Sequence, residues 1–136
     1  MFKRYGVIGL IITLALVTRV WNITSSPPGL SIDEVSIGYN AWSVISTGKD
    51  EHQAELPLFF KAFGEYKLPV YIYAVALVQL LTGPTDLSVR LPALLFGLGT
   101  ILCFYVFSEL FLLQFFNQHQ SRLGAYLAGF MMAISP

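Results

Sequence analysis

Hydrophobic positions along the chain fall into blocks separated by polar ground, and the length and spacing of each block predict an element. The first block runs from Tyr5 to Val17 and continues through Thr18, Arg19 and Val20 to Trp21, behind Lys3 and Arg4. At about 1.5 Å of rise per residue it crosses a ~30 Å hydrocarbon core if its ends snorkel. The basic start predicts a cytoplasmic N-terminus. Leu16 to Trp21 offers no small-x-small cleavage site, so an uncleaved anchor is expected rather than a secretory signal peptide. The cluster Ser25-Ser26-Pro27-Pro28-Gly29 then ends the span and opens an external loop.

Ser31-Ile32-Asp33-Glu34 reads as a capping box, with Ser31 as N-cap and Glu34 at the third helical position. Behind it Val35, Tyr39, Trp42 and Ile45 recur at near-helical spacing and predict an amphipathic helix to about Ser46. Tyr39 and Trp42 suit a helix resting on a bilayer surface. Thr47 to Glu55 is a charged turn. Leu68 to Leu81 is apolar apart from Gln79, begins near Pro69, and is too short to favour a full crossing, so it is expected to lie at or dip into the outer face. Arg90 to Leu113 is long enough to span, with Gly97 and Gly99 available for close packing. Gln114 to Arg122 is a polar loop, expected on the cytoplasmic side, and Leu123 to Pro136 begins another apolar segment.

The expected fold class is therefore all-α, a polytopic set of transmembrane helices whose external loop contains interfacial, juxtamembrane helices. Its parts are a first span over 1–21, the loop over 22–89, a second span over 90–113 and the start of a third over 123–136. Three hydrophobic helices and one loop make a poor self-sufficient enzyme, so the chain is expected to be the N-terminal portion of something larger.

Composition sharpens this picture. The 136 residues are 55% hydrophobic, 15% aromatic and only 12% charged, with a mean hydropathy of +0.65, which places them with membrane proteins. Zero net charge and a pI near 6.7 provide no basic face for nucleic acid. Cys103 has no partner for a disulfide and sits in an apolar run, and His52 and His119 lack ligand spacing. Asn22-Ile23-Thr24 matches a glycosylation sequon that hugs the membrane, where chance explains it better. Asp33, Glu34, Lys49, Asp50, Glu51, Glu55, Lys61, Glu65 and Lys67 concentrate the charge in one polar module.

Two places in that module could carry chemistry. Asp33 and Glu34 form an acidic pair just beyond the first span, where a carboxylate can deprotonate a hydroxyl; the same residues also suit the helix dipole and the cap. Lys67, just ahead of the interfacial segment, can hold a lipid phosphate as a point charge or simply snorkel at the boundary. Tyr71 and Tyr73, with Phe59, Phe60 and Phe63, make an aromatic patch that serves either as an interfacial belt or as a wall for a polyprenyl chain or sugar ring. Tyr66 and Tyr71 are the wall residues nearest Lys67 in sequence. No Gly-rich phosphate loop, nucleophile elbow or Cys-x-x-Cys is present.

Three stretches in this order, Asp33-Glu34-Val35-Ser36-Ile37-Gly38, Tyr66-Lys67-Leu68-Pro69-Val70-Tyr71 and Ser88-Val89-Arg90-Leu91-Pro92-Ala93-Leu94, after a first span, resemble the N-terminal part of the C-type membrane glycosyltransferases, specifically the group of protein O-mannosyltransferases and bacterial aminoarabinose transferases. The resemblance runs through most of the chain, to Ile134-Ser135-Pro136. It implies inverting transfer of a sugar from a polyprenyl-phosphate donor to an acceptor on a protein, lipid or glycan at the extracytoplasmic face. It also implies Asp33 as general base, Glu34 as its support or as a ligand with Asp33 for a divalent cation, and Lys67 on the carrier phosphate, an electrostatic role. Members of the group often carry a second proline or a histidine-proline-proline-like run where this chain has Leu68-Pro69-Val70, and the group's second acidic residue would follow Pro136. Two other readings remain. One is a noncatalytic membrane subunit or carrier-lipid-binding scaffold. The other is a transporter fragment, which would place ionisable residues in mid-span, whereas Glu109 is the only acidic residue of Leu91 to Leu113 and lies near its end.

Overall fold

The computed structural model describes every residue except Met1, Asn22, Ser26, Pro27 and Pro136, and side chains from Tyr5 onward. The sequon's Asn22, part of the breaker cluster and the Lys3 and Arg4 side chains therefore lie outside what is described. Among the described residues the chain is mostly helical: α1 (Phe2–Val20), α2 (Ile32–Thr47), α3 (Pro69–Thr82), α4 (Asp86–Leu112) and α5 (Gln118–Ile134), with two short strands β1 (Phe60–Ala62) and β2 (Glu65–Lys67). The chain divides into two compact units, one of residues 22–93 and one of residues 1–21 with 94–136.

In the first unit α2 starts as its sequence requires. The Ser31 hydroxyl accepts from the Glu34 amide at 3.3 Å, while the Glu34 carboxylate accepts from the Ser31 amide at 2.8 Å. Two otherwise orphaned amides are thereby satisfied. Gly48 closes the helix in the left-handed conformation. Beneath it Ala41, Phe60, Ile72, Val75, Ala76 and Val89 form a core, with Ile37, Val44 and Ile45 of α2 packed on it. The stripe marked out by sequence is different: Val35, Tyr39 and Trp42 are exposed. The face that packs is lined instead by small and branched residues, since small side chains let helices approach. At Gly38 this is literal, because a Cβ there would stand 2.9 Å from the Val89 side chain.

The charged turn is a built loop. The buried Asp50 carboxylate accepts from the His52 and Ala54 amides at 2.9 and 2.8 Å, and the Asn40 side chain bonds Glu51 through both its amide nitrogen and its oxygen.

The all-α expectation is corrected by β1 and β2, which pair antiparallel with Phe60 opposite Lys67 and Ala62 opposite Glu65. Phe63 and Gly64 form the tip with φ of 52° and 85°, the two positive values a tight type I′ turn requires. Nothing in Phe-Gly advertises that turn, where Asn-Gly or Asp-Gly would. The hairpin is pinned by Phe60, whose ring is fully buried and meets Tyr73 edge-on at 5.6 Å.

α4 begins at Asp86, earlier than the expected Arg90. Thr85 and Ser88 exchange side-chain bonds to one another's amides at 3.2 and 3.0 Å, a capping box in which serine replaces the usual glutamate. α5 likewise begins inside the expected polar loop, at Gln118, because Asn117 caps it through the Gln120 amide at 3.0 Å.

In the second unit Ile11 and Ala15 of α1 pack with Ile101 of α4 and Ala133 of α5. Gly129 of α5 lies against Ile11 and Tyr105. The Arg19 guanidinium donates to the carbonyls of Met132, Ala133 and Ser135 at 2.8 to 3.0 Å, a cation on the negative end of α5. Ile11 near Gly129 and Arg19 near Ala133 mean that α1 and α5 run parallel. Arg122 pairs with Glu109 at 3.3 Å, and Arg19 lies beside Gly97, so α4 runs antiparallel to both. α4 is the helix long and apolar enough to cross a membrane among the described residues, and only 17% of its most apolar window is buried. The apolar stretches Tyr5–Val20 and Pro69–Thr82 are shorter.

Candidate functional site

The hairpin and the start of α2 bring Asp33 and Lys67 together. Their side chains meet at 2.5 Å between Oδ1 and Nζ, although 34 residues separate them in sequence. The two members are unequal: the Lys67 side chain is 17% exposed, the Asp33 side chain 77%. Lys67 is held because β2 ends in register with the buried Phe60, and its ammonium lies 6.0 Å from the centre of the Phe63 ring, at the outer edge of a cation–π contact. Asp33 sits in the first turn of α2, free on its solvent side. A pair this open contributes about 0 to 1 kcal/mol to stability, so it can be exchanged for other partners at little cost to the fold.

Glu34, expected to work beside Asp33, turns elsewhere. Its carboxylate takes the Arg90 Nε–H at 3.0 Å and the Ser31 amide at 2.8 Å. Burial pushes the Glu34 carboxyl up, but the Arg90 hydrogen bond and charge, with the Ser31 amide and hydroxyl, outweigh it and hold it below the usual carboxylate value. Arg90 itself is buried and also donates to the carbonyls of Ile23 and Gly29, at 2.7 and 2.5 Å. One guanidinium fork thus ties the chain entering the unit, the cap of α2 and the first turns of α4. Arg90 is the residue whose role sequence reasoning missed. Its place in Ser88-Val89-Arg90-Leu91-Pro92, a cation at the edge of an apolar run, was the available signal.

Tyr66 is exposed on the hairpin. Tyr71 is not an open wall: its hydroxyl donates to the Val89 carbonyl at 2.8 Å, and burial, with the Glu34 charge nearby, raises its pKa. Tyr73 donates to the Pro57 carbonyl at 3.0 Å. As for a divalent cation, Asp33 and Glu34 face different cationic partners, and no group of three His, Cys, Asp or Glu side chains converges among the described residues. The residues present do not fit a resident metal.

The site is thus a solvent-facing carboxylate bonded to a shielded ammonium, on the same first turn of α2 that the Glu34–Arg90 network holds. A carboxylate can take a proton from a hydroxyl, and an ammonium can neutralise a phosphate. No protein-family model, curated protein or solved structure matches the chain.

Proposed function

We propose that this chain is the amino-terminal membrane portion of a glycosyltransferase that moves a sugar from a polyprenyl-phosphate donor to an acceptor at the extracytoplasmic face. The observation that carries the reading is the Asp33–Lys67 pair at 2.5 Å, half open to solvent. The incoming acceptor hydroxyl gives its proton to the Asp33 carboxylate while its oxygen bonds the anomeric carbon. The carbon–oxygen bond to the carrier phosphate breaks on the opposite side, and its electron pair leaves on phosphate, next to Lys67. Inversion follows from that geometry, with no covalent sugar–enzyme intermediate. Lys67 passes from Asp33 to the carrier phosphate when donor binds, which releases the carboxylate to act as base only when there is something to transfer.

On this reading α1, α4 and α5 cross in turn with the loop outside; α4 is long and apolar enough to do so, and its antiparallel course against α1 and α5 is the one such crossings require. A lysine that is shielded yet paired, among the described residues, only with an exposed carboxylate supports an anion-binding role. The rival is a noncatalytic subunit or scaffold, favoured by the fact that Glu34 and Arg90 brace structure rather than face the open side.

Asp33→Asn in the complete protein separates the two. The enzyme loses glycosyl transfer by about 100-fold or more, the scale of a positioned general base, while it still inserts and retains carrier lipid. Transfer at the wild-type rate would show that Asp33 is not the base.

A further inference from the structure

The fold divides the aromatic patch expected around Lys67. Phe60 turns into the core and Tyr73 packs on it, while Leu56, Leu58, Phe59, Phe63, Tyr66 and Leu68 stand 60 to 74% exposed. In β1 the buried Phe60 and Ala62 alternate with the exposed Lys61, and Tyr66 is opposite Lys61. Lys61 and Tyr66 therefore share the outward face of the hairpin, with Phe59 and Leu68 in phase with them. The acidic residue of the hairpin, Glu65, pairs with Ala62 and belongs to the other face.

Backbone strain falls on the same patch. Among the described residues three other than glycine have positive φ, and two of them, Leu56 at 38° and Phe63 at 52°, are large apolar residues held out of the core. In water each is unfavourable on two counts, its backbone and its uncovered side chain. Outliers of this kind persist where their surroundings hold them and mark functional places.

We propose that the hairpin is a membrane wedge. Phe63 at the tip, with Phe59, enters the outer leaflet just below the headgroups, and the Lys61 ammonium meets a lipid phosphate. Phe, Tyr and Leu around a lysine are the composition of an interfacial surface. The tip is convex, which suits a fluid layer that closes around it, whereas the anchors of protein interfaces fill pockets. A second copy docked through the same face would bring Lys61 against an equally basic surface with no carboxylate on it; a bilayer supplies the anions. The apolar surface also continues through Leu68 into α3, an apolar helix too short to cross. Since β2 ends at Lys67, the depth of the wedge sets the height of that ammonium over the lipid phosphates. The inference rests on the membrane placement proposed above and not on the transfer chemistry.

The test is depth-dependent fluorescence quenching on the full chain in phosphatidylglycerol nanodiscs, with Trp21→Phe and Trp42→Phe removing the two native tryptophans. A single tryptophan is then introduced by Phe63→Trp, by Phe59→Trp or, on α4, by Phe104→Trp. Lipids brominated near the headgroup or near the chain end are compared, with acrylamide as the aqueous quencher. Phe63→Trp should be quenched most by the shallow bromines, at a depth of about 5 to 10 Å, and be spared by acrylamide. Adding Phe63→Asn to Phe59→Trp, which keeps the hairpin on a turn pair it prefers, should move that tryptophan outward into the reach of acrylamide. The wedge is overturned if both hairpin tryptophans answer to acrylamide and not to bromine while Phe104→Trp answers to bromine. It is overturned equally if both are shielded from both quenchers, which would put protein over the face, or if Phe63→Asn leaves the depth of Phe59→Trp unchanged. Escape of Phe104→Trp from bromine would overturn the membrane placement as well.

Discussion

Arg90 is a single side chain with three duties: it neutralises Glu34 and satisfies the carbonyls of Ile23 and Gly29. Arg90→Ala takes the shared donor from a partly exposed carboxylate and two carbonyls, so the unit of residues 22–93 should lose about 2 kcal/mol, the scale of a hydrogen bond to a charged group. Arg90→Lys should restore less than half of this, because a point charge cannot serve three acceptors in a plane. Thermal unfolding of the full chain followed by circular dichroism checks both. Glu34 adds a dependence on pH. Its folded carboxyl releases its proton more readily than the unfolded one, whose ordinary value is 4.5. The resulting stabilisation is fully present above about pH 4.5 and is lost as pH falls through the lower, folded value. Melting temperature should therefore drop on acidification below that point, and Glu34→Gln should flatten the drop. A Glu34→Gln protein with the wild-type acid slope would assign the effect to another group.

At the scale of elements, the hairpin holds the sharpest conflict between local preference and position. Phe63 is a bulky residue at φ 52°, where a side chain with a Cβ is disfavoured by about 1 to 2 kcal/mol. Its ring stays there beside the Lys67 ammonium. Phe63→Asn would supply the Asn-Gly pair that such turns prefer and should stabilise the hairpin by about 1 kcal/mol while removing the ring. The melting temperature should rise, and Lys67 should become more accessible to acetylation by a water-soluble reagent. A fall in melting temperature would mean that the ring contributes more than the turn costs. Three of the helices are more conventional, with α2, α4 and α5 each started by its own cap: Ser31 with Glu34, Thr85 with Ser88, and Asn117.

For the whole molecule, the testable matter is sidedness. If α1, α4 and α5 each cross, then in a Cys103→Ser background Ser46→Cys and Thr85→Cys should react with a membrane-impermeant thiol reagent added outside. Gln118→Cys should react only after the membrane is opened or from the cytoplasmic side. Labelling of Thr85→Cys from the cytoplasm would mean that α3 crosses, although its 14 residues span only about 21 Å against a ~30 Å core.

The sequence by itself determined what depends on neighbours a few residues away: where α1, α2 and α3 lie, the Ser31–Glu34 box, and the candidacy of Asp33 and Lys67. Caps and apolar periodicity are local, so they are written in order along the chain. Only the tertiary structure decided which residues meet. It set Lys67 on Asp33 and Arg90 on Glu34 across 34 and 56 positions, and it turned Val35, Tyr39 and Trp42 outward while Ala41 and Gly38 packed inward. It also folded Phe60–Lys67 into a hairpin whose Phe-Gly tip has no local signature. Those outcomes follow from shape and from the need of every buried charge for a partner, and neither can be read from spacing along the chain.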